Sequence, residues 1–193
     1  MGVEIEVKLV GTARAHQEIR EAYPLQYEKT EMETTYYDTP EGDLSQRKIT
    51  LRRRMENGVP VCTVKTPLAG MGRGEWECGA EEIATGVAEL CKLGAPRELL
   101  LLTAPGLVPV CGARFTRYWA PLEVDGTRLE LALDSGVLTG GGKEMPLCEV
   151  EVELKSGEPA VAVAFAQSLA LRFGLVQEER SKFRRALALA KGG

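Results

Sequence analysis

Charged and apolar residues alternate along much of this chain with the two-residue period of a β-strand, whose successive side chains point to opposite faces. In EIEVK, Glu4, Glu6 and Lys8 share one face while Ile5, Val7 and Leu9 share the other. TLRRR groups Thr50, Arg52 and Arg54, and VCTVK groups Val61, Thr63 and Lys65 opposite Cys62 and Val64. RGEWEC sets Arg73, Glu75 and Glu77 against Trp76 and Cys78. RLELALD sets Arg128, Glu130, Ala132 and Asp134 against three leucines, and CEVEVELK sets Glu149, Glu151 and Glu153 against Val150, Val152 and Leu154.

Three segments switch to helical character. The first is 12–23, with Thr12 as N-cap and Pro24 beyond its end; the others are 80–93, stopped by Gly94, and 159–173, stopped by Gly174. Turn signals at PEGD, ENGVP, VDGT and SGVLTGGGKEMP separate the strands, and LAGMGRG reads as a flexible break in the series. No internal repeat interrupts this order, and strands continue on both sides of the second helix. The whole chain, 1–193, is therefore expected to form one α+β domain built on an antiparallel sheet.

An antiparallel sheet with one wet face also alternates, so alternation alone points to no site. Two features go further. The polar faces are dense in Glu, Arg and Lys, and like charges recur at i and i+2 in Glu4/Glu6, Arg52/Arg54, Glu75/Glu77 and Glu149/Glu151/Glu153. Such neighbours destabilise a sheet unless opposite charge lies between them. A sheet curled into a barrel with these faces inward would gather them around one wet cavity. Acidic rows there suit hard divalent cations, and basic rows suit phosphate oxygens.

Composition narrows the field. The 193 residues are 44% hydrophobic and 27% charged, ordinary values for a globular protein, and the net charge of −4 argues against a general nucleic-acid binder. Five scattered cysteines without a C-x-x-C pair read as small buried residues in a reducing compartment. No basic segment followed by an apolar run opens the chain, and no stretch approaches the ~18 apolar residues of a membrane span, so a cytoplasmic location is expected. The lone histidine, His16, is expected on a helix surface, and TGGGKEMP lacks phosphate-loop spacing and reads as a hairpin turn. By parity Arg53 and Trp76 face outside the barrel, and Arg114, out of phase with Arg117, is expected to be structural or solvent-facing. Trp119 shares the parity of Arg117 and is the one aromatic placed to serve as a base platform.

The ordered set Glu4-Ile-Glu6-Val-Lys8, YYDTPEGDLSQRKITLRRR, TVK, EWE, FTRYW, ELALD, EVEVELKSG and ERSKFRRAL closely resembles the CYTH, or triphosphate tunnel metalloenzyme, family over nearly the full chain. The resemblance implies an eight-stranded antiparallel β-barrel, a tunnel with flanking helices, that binds triphosphates with Mg²⁺ or Mn²⁺. It implies metal coordination by Glu4 and Glu6 with Glu149 and Glu151. It implies phosphate contact and catalysis by Lys8, Arg52, Arg54, Lys65 and Arg117, with Arg73 and Lys182 as further substrate contacts. Glu75, Glu77, Glu130, Asp134 and Glu153 would also line the tunnel; which of Glu149, Glu151 and Glu153 ligate metal stays open.

The arrangement is most similar to bacterial inorganic triphosphatases, which implies hydrolysis of tripolyphosphate to pyrophosphate and phosphate. A thiamine triphosphatase or class IV adenylate cyclase of the same fold, a non-catalytic polyphosphate- or nucleotide-binding module, and a structural domain with a charged face are the alternatives. The expected partner is a small-molecule triphosphate, with no nucleic acid and no membrane; a homodimer is one possible assembly.

Overall fold

The computed structural model describes residues 2–68 and 73–192, with side chains from Ile5 onward, so most of LAGMGRG and the side chain of Glu4 lie outside the described residues. In chain order, β1 (Gly2–Glu4) and β2 (Glu6–Val10) lead into α1 (Ala13–Ala22). Next come β3 (Glu28–Asp38), α2 (Asp43–Gln46), β4 (Thr50–Glu56), β5 (Val59–Pro67) and β6 (Arg73–Gly79). Helices α3 (Ile83–Lys92) and α4 (Glu98–Leu102) precede three long strands, β7 (Val108–Val124), β8 (Thr127–Gly140) and β9 (Lys143–Ser156). The chain ends with α5 (Pro159–Phe173), β10 (Val176–Gln177) and α6 (Lys182–Ala190).

The ten strands form one antiparallel series in the order β1-β6-β5-β4-β3-β7-β8-β9-β2-β10. The expected antiparallel sheet with flanking helices forms, but its series is open, with β1 and β10 at its ends, rather than eight strands closed into a barrel. The physical reason lies at Ile5. There the N-terminal run leaves strand geometry, so β1 pairs with β6, with Glu4 opposite Arg73, while β2 pairs with β9, with Glu6 opposite Glu153. One short run of chain thus touches both halves of the sheet. The amide of Leu154 donates to the Ile5 carbonyl at 2.9 Å and steadies the crossing point.

The apolar faces of the strands look outward, under helices. Leu9, Leu129, Leu131, Leu133, Val150 and Val152 pack with Ile19 of α1 and Phe165 and Leu169 of α5. Leu51, Val64 and Trp76 pack with Val87 and Leu90 of α3 and Leu99 of α4. A third, smaller cluster sets Ala186 of α6 against Met32, Phe115, Leu138 and Leu147. Each fully buried aliphatic side chain contributes about 1.5–3 kcal/mol, so the two larger clusters, outside the curled sheet, supply most of the apolar stabilisation. The sheet's inner face is mostly charged, alongside Met32 and Phe115 of the third cluster, which also line the cavity it encloses.

Local signals explain the boundaries. Thr12 Oγ1 accepts from the Ala15 amide at 3.2 Å, capping α1, and Pro159 begins α5 while Gly174, at φ +65°, ends it. Asn57-Gly58 and Asp125-Gly126 both have positive φ, the requirement of a two-residue hairpin turn whose twist matches its strands. Helix α3 starts at Ile83 rather than at the expected position 80, and α2, α4 and α6 were not anticipated. Of these α6 matters most. Ser181 caps it by accepting from the Arg184 amide, and it packs so closely on β8 that a Cβ at Gly140 would lie 2.4 Å from the Ala186 carbonyl oxygen.

Candidate active site

The inner faces surround a cavity of about 490 Å³. Among its described lining residues nine are Lys or Arg and eight are Glu, so the space is nearly balanced although the chain carries −4. The balance is spatially divided. Arg52 and Arg54 project from β4 and Lys65 from β5, while Glu6, Glu151 and Glu153 project from β2 and β9 and Glu130 from β8.

On the basic side, acidic residues separate like charges. Arg52 lies 3.8 Å from Glu75 and 3.6 Å from Glu77, and Lys65 lies 3.3 Å from Glu75. Thr63 donates to Glu77 at 2.8 Å; burial opposes the charge of Glu77, but Arg52 and this bond outweigh it and lower its carboxyl below the ordinary value. Arg54 bonds Glu56, and burial followed by repulsion from Arg52 lowers its guanidinium from the usual arginine value. Arg73 donates to the carbonyls of Lys48 and Lys65 and to Thr50 Oγ1, which fixes its guanidinium at the cavity wall.

The floor is an ion-pair cluster. Asp134, Glu149 and Glu151 are buried and present carboxylate oxygens within 4.8 Å of one another, an arrangement that could converge on a metal ion. Cations already meet these oxygens. Lys182 Nζ lies 2.8 Å from Asp134, 2.5 Å from Glu149 and 2.6 Å from Glu151. Arg117 bonds Asp134 through two nitrogens at 2.8 and 2.7 Å and Glu151 at 2.5 Å, and Arg185 bonds Glu149. Burial opposes the charge of Glu151, yet Lys182 and Arg117 hold its carboxyl well below the carboxylate range. The three carboxylates in turn raise Lys182, while burial raises the carboxyl of Glu149 against the pull of Lys182. Three carboxylates and three cations offset one another.

A second acidic group is different. Strand register places Glu6 opposite Glu153 and Glu153 opposite Glu130, a row of three carboxylates across β2, β9 and β8 that opens into the cavity. Lys8 lies 3.2 Å from Glu6, and Lys155 lies 3.1 Å from Glu130 and 2.9 Å from Glu153. This row is open to the cavity, whereas a hard divalent ion, which takes several oxygen ligands at about 2.0–2.6 Å, would have to expel the buried Lys182 to reach the three convergent carboxylates of the floor.

The expected site residues therefore separate. Lys8, Arg52, Arg54, Lys65, Arg73, Arg117 and Lys182 all reach the cavity, as do Glu6, Glu75, Glu77, Glu130, Glu151 and Glu153. Glu149 and Asp134 do not line it; both are completely buried behind it among cations. Glu149 stands four residues along β9 from the partner of Glu6, about 13 Å at strand rise, too far for an easy shared ion. Glu4 lies on β1 opposite Arg73, and its side chain is outside the described residues.

Other expectations resolve by packing. Arg53 pairs with Glu81 and Arg114 with Glu144, away from the cavity, and Trp76 is buried beneath α3. Trp119 lines the cavity. His16 is a correction: it is buried between Ser135 Oγ, 3.1 Å from Nδ1, and Cys148 Sγ, 3.6 Å from Nε2, because its position on α1 faces the sheet. Lys155, Arg184 and Arg185 were missed. The parity of Lys155 with Glu153 was available in EVEVELK, whereas the arginines needed a helix that the strand pattern did not announce.

The sequence matches the CYTH domain over residues 2–187. The chain belongs to the CYTH family. The chain is 28% identical over 194 residues to the inorganic triphosphatase of Haemophilus influenzae; the alignment covers 96% of this chain and 54% of that protein, so the chain spans about half of its relative's length. A solved Hippeastrum structure, described as an adenylyl cyclase candidate with dominant triphosphatase activity, superposes with TM-score 0.64 at 22% identity, covering all of this chain and 96% of that one. A Pyrococcus horikoshii protein superposes with TM-score 0.62 at 23% identity over 97% of this chain and 99% of that one. These two likenesses establish the CYTH tunnel fold. No helix among the described residues is long and apolar enough to cross a membrane.

Proposed function

We propose that this chain hydrolyses inorganic tripolyphosphate to pyrophosphate and phosphate with the help of Mg²⁺ or Mn²⁺. The observation that carries the reading is the division of one cavity into a basic side, with Arg52, Arg54 and Lys65, and an acidic row, Glu6-Glu153-Glu130. A polyanion needs the first and a bridging cation needs the second. The Haemophilus influenzae relative, an inorganic triphosphatase, supports the choice of substrate.

Catalysis of phosphoryl transfer is mainly positioning and charge stabilisation. Arg52 and Arg54 supply forked donors to non-bridging oxygens, and Lys65 and Lys8 supply point charges. Arg117, anchored by Asp134 and Glu151, presents a guanidinium whose orientation is fixed before substrate arrives. Lys182 holds that anchor from below. Glu6, Glu130 and Glu153 would hold the divalent cation, which when bound offsets phosphate charge and makes a water more acidic.

Phosphate release from tripolyphosphate, measured with Mg²⁺, Mn²⁺ or EDTA beside ATP and thiamine triphosphate, tests the proposal. Metal-dependent cleavage of tripolyphosphate above the other two is expected. Preference for an organic triphosphate, or formation of cyclic AMP from ATP, assigns a sibling activity. Triphosphate binding without turnover makes the chain a binding module and overturns the proposal.

A further inference from the structure

Of the lysines that touch the acidic groups, Lys182 and Lys155 are held in opposite ways. Lys182 is buried and fixed by three carboxylates, so it cannot leave without stranding them. Lys155 bridges Glu130 and Glu153, but its side chain is 43% exposed, against 17% and 28% for its partners. It stands on the wet side of the row, on a flexible four-carbon stem that can withdraw into solvent. Its ammonium lies within 3.1 Å of one carboxylate and 2.9 Å of the other, so it shares oxygens that a divalent ion in the row would take. Two cations cannot occupy that gap together.

We infer that Lys155 is a built-in counter-ion that competes with the divalent cation for Glu130 and Glu153, and so sets how tightly the substrate-free tunnel binds metal. The inference rests on the placement of the metal in the Glu6-Glu153-Glu130 row. In the metal-free protein Lys155 offsets the repulsion between carboxylates of β8 and β9 directly opposite each other. It also softens the acidic side towards an incoming polyanion. When the ion arrives, the ammonium gives way to a doubly charged competitor. A metal entering with its triphosphate brings extra ligands and displaces Lys155 more readily than free metal does.

The test is Mn²⁺ binding to chelator-treated, substrate-free protein, read from the electron paramagnetic resonance signal of free Mn²⁺. Wild type, Lys155→Met, Lys155→Arg, Glu153→Gln and Glu130→Gln are compared, with thermal melts to confirm folding. Lys155→Met is expected to lower the Kd for Mn²⁺ by about tenfold, since a charge in contact with both ligands is removed. Lys155→Arg keeps the charge and is expected to stay near wild type, and Glu153→Gln to weaken binding. If Glu153→Gln weakens binding while Lys155→Met matches wild type or binds less tightly, the role of Lys155 is overturned and the row stands. If both glutamine variants bind as wild type does, or no protein binds Mn²⁺, the row itself is wrong and the inference falls with it.

Discussion

The ammonium of Lys182 lies 2.6 Å from Oε1 of Glu151, and the same nitrogen reaches Asp134 and Glu149. A residue of the C-terminal helix thereby closes the floor of a tunnel whose walls come from strands throughout the chain. The contact links fold to chemistry, because Glu151 also orients Arg117.

Lys182→Met is expected to leave buried carboxylates short of a counter-ion and to lower stability by about 3–5 kcal/mol, the range for breaking a buried pair. Adding Glu149→Gln should return part of the loss, because the carboxyl of Glu149 is already raised by burial. Denaturant unfolding of both single variants and the double variant measures the coupling. Strict additivity would show that the floor is not one network.

Arg52 lines the cavity 3.8 Å from Glu75 and 3.6 Å from Glu77, on the wall where its guanidinium can meet phosphate oxygens. Arg52→Ala is expected to lower kcat on tripolyphosphate by about 10²-fold, the scale for removing one preorganised donor, with a small change in melting temperature. Steady-state kinetics and a thermal melt separate these outcomes. A large loss of stability with intact kcat would make Arg52 structural.

Much of this was legible because a two-residue period cannot hide which side chains share a face. Parity put Arg52, Lys65, Glu75 and Glu153 on the charged faces of their strands, the family resemblance implied that those faces line a tunnel, and they do line the cavity. Parity does not give depth along a strand. Glu149, Glu151 and Glu153 were therefore indistinguishable until register put Glu153 beside Glu6 and left Glu149 beneath Lys182. Helix α6 was missed for a related reason: SKFRRAL presents charges that look solvated until Lys182 and Arg185 are seen buried against carboxylates. His16 was misread because a single polar residue on a helix carries no sign of which face it joins.

Metal removal offers a third expectation. Because Lys8 and Lys155 already offset the acidic row, EDTA should abolish turnover while leaving the far-ultraviolet circular dichroism unchanged and the melting temperature nearly so. Unfolding on chelation would mean that the ion is a structural element rather than a reaction partner.

His16, which lies outside the cavity lining, gives stability a pH dependence. Burial lowers its folded pKa below the ordinary 6.5, with hydrogen bonding to the Glu149 backbone and the charge of Asp134 opposing. The folded protein then holds fewer protons at this site than the unfolded chain, so stability is fully present above pH 6.5 and declines as pH falls towards the folded value. Protonation would place a cation between the Ser135 hydroxyl and the Cys148 thiol, beneath α1. His16→Gln keeps a polar side chain there and removes the titration. Its stability between pH 7 and pH 5 should fall less steeply than that of wild type, measured by denaturant unfolding at each pH. Parallel slopes for the two proteins would show that the acid sensitivity arises elsewhere, in the carboxylates of the tunnel.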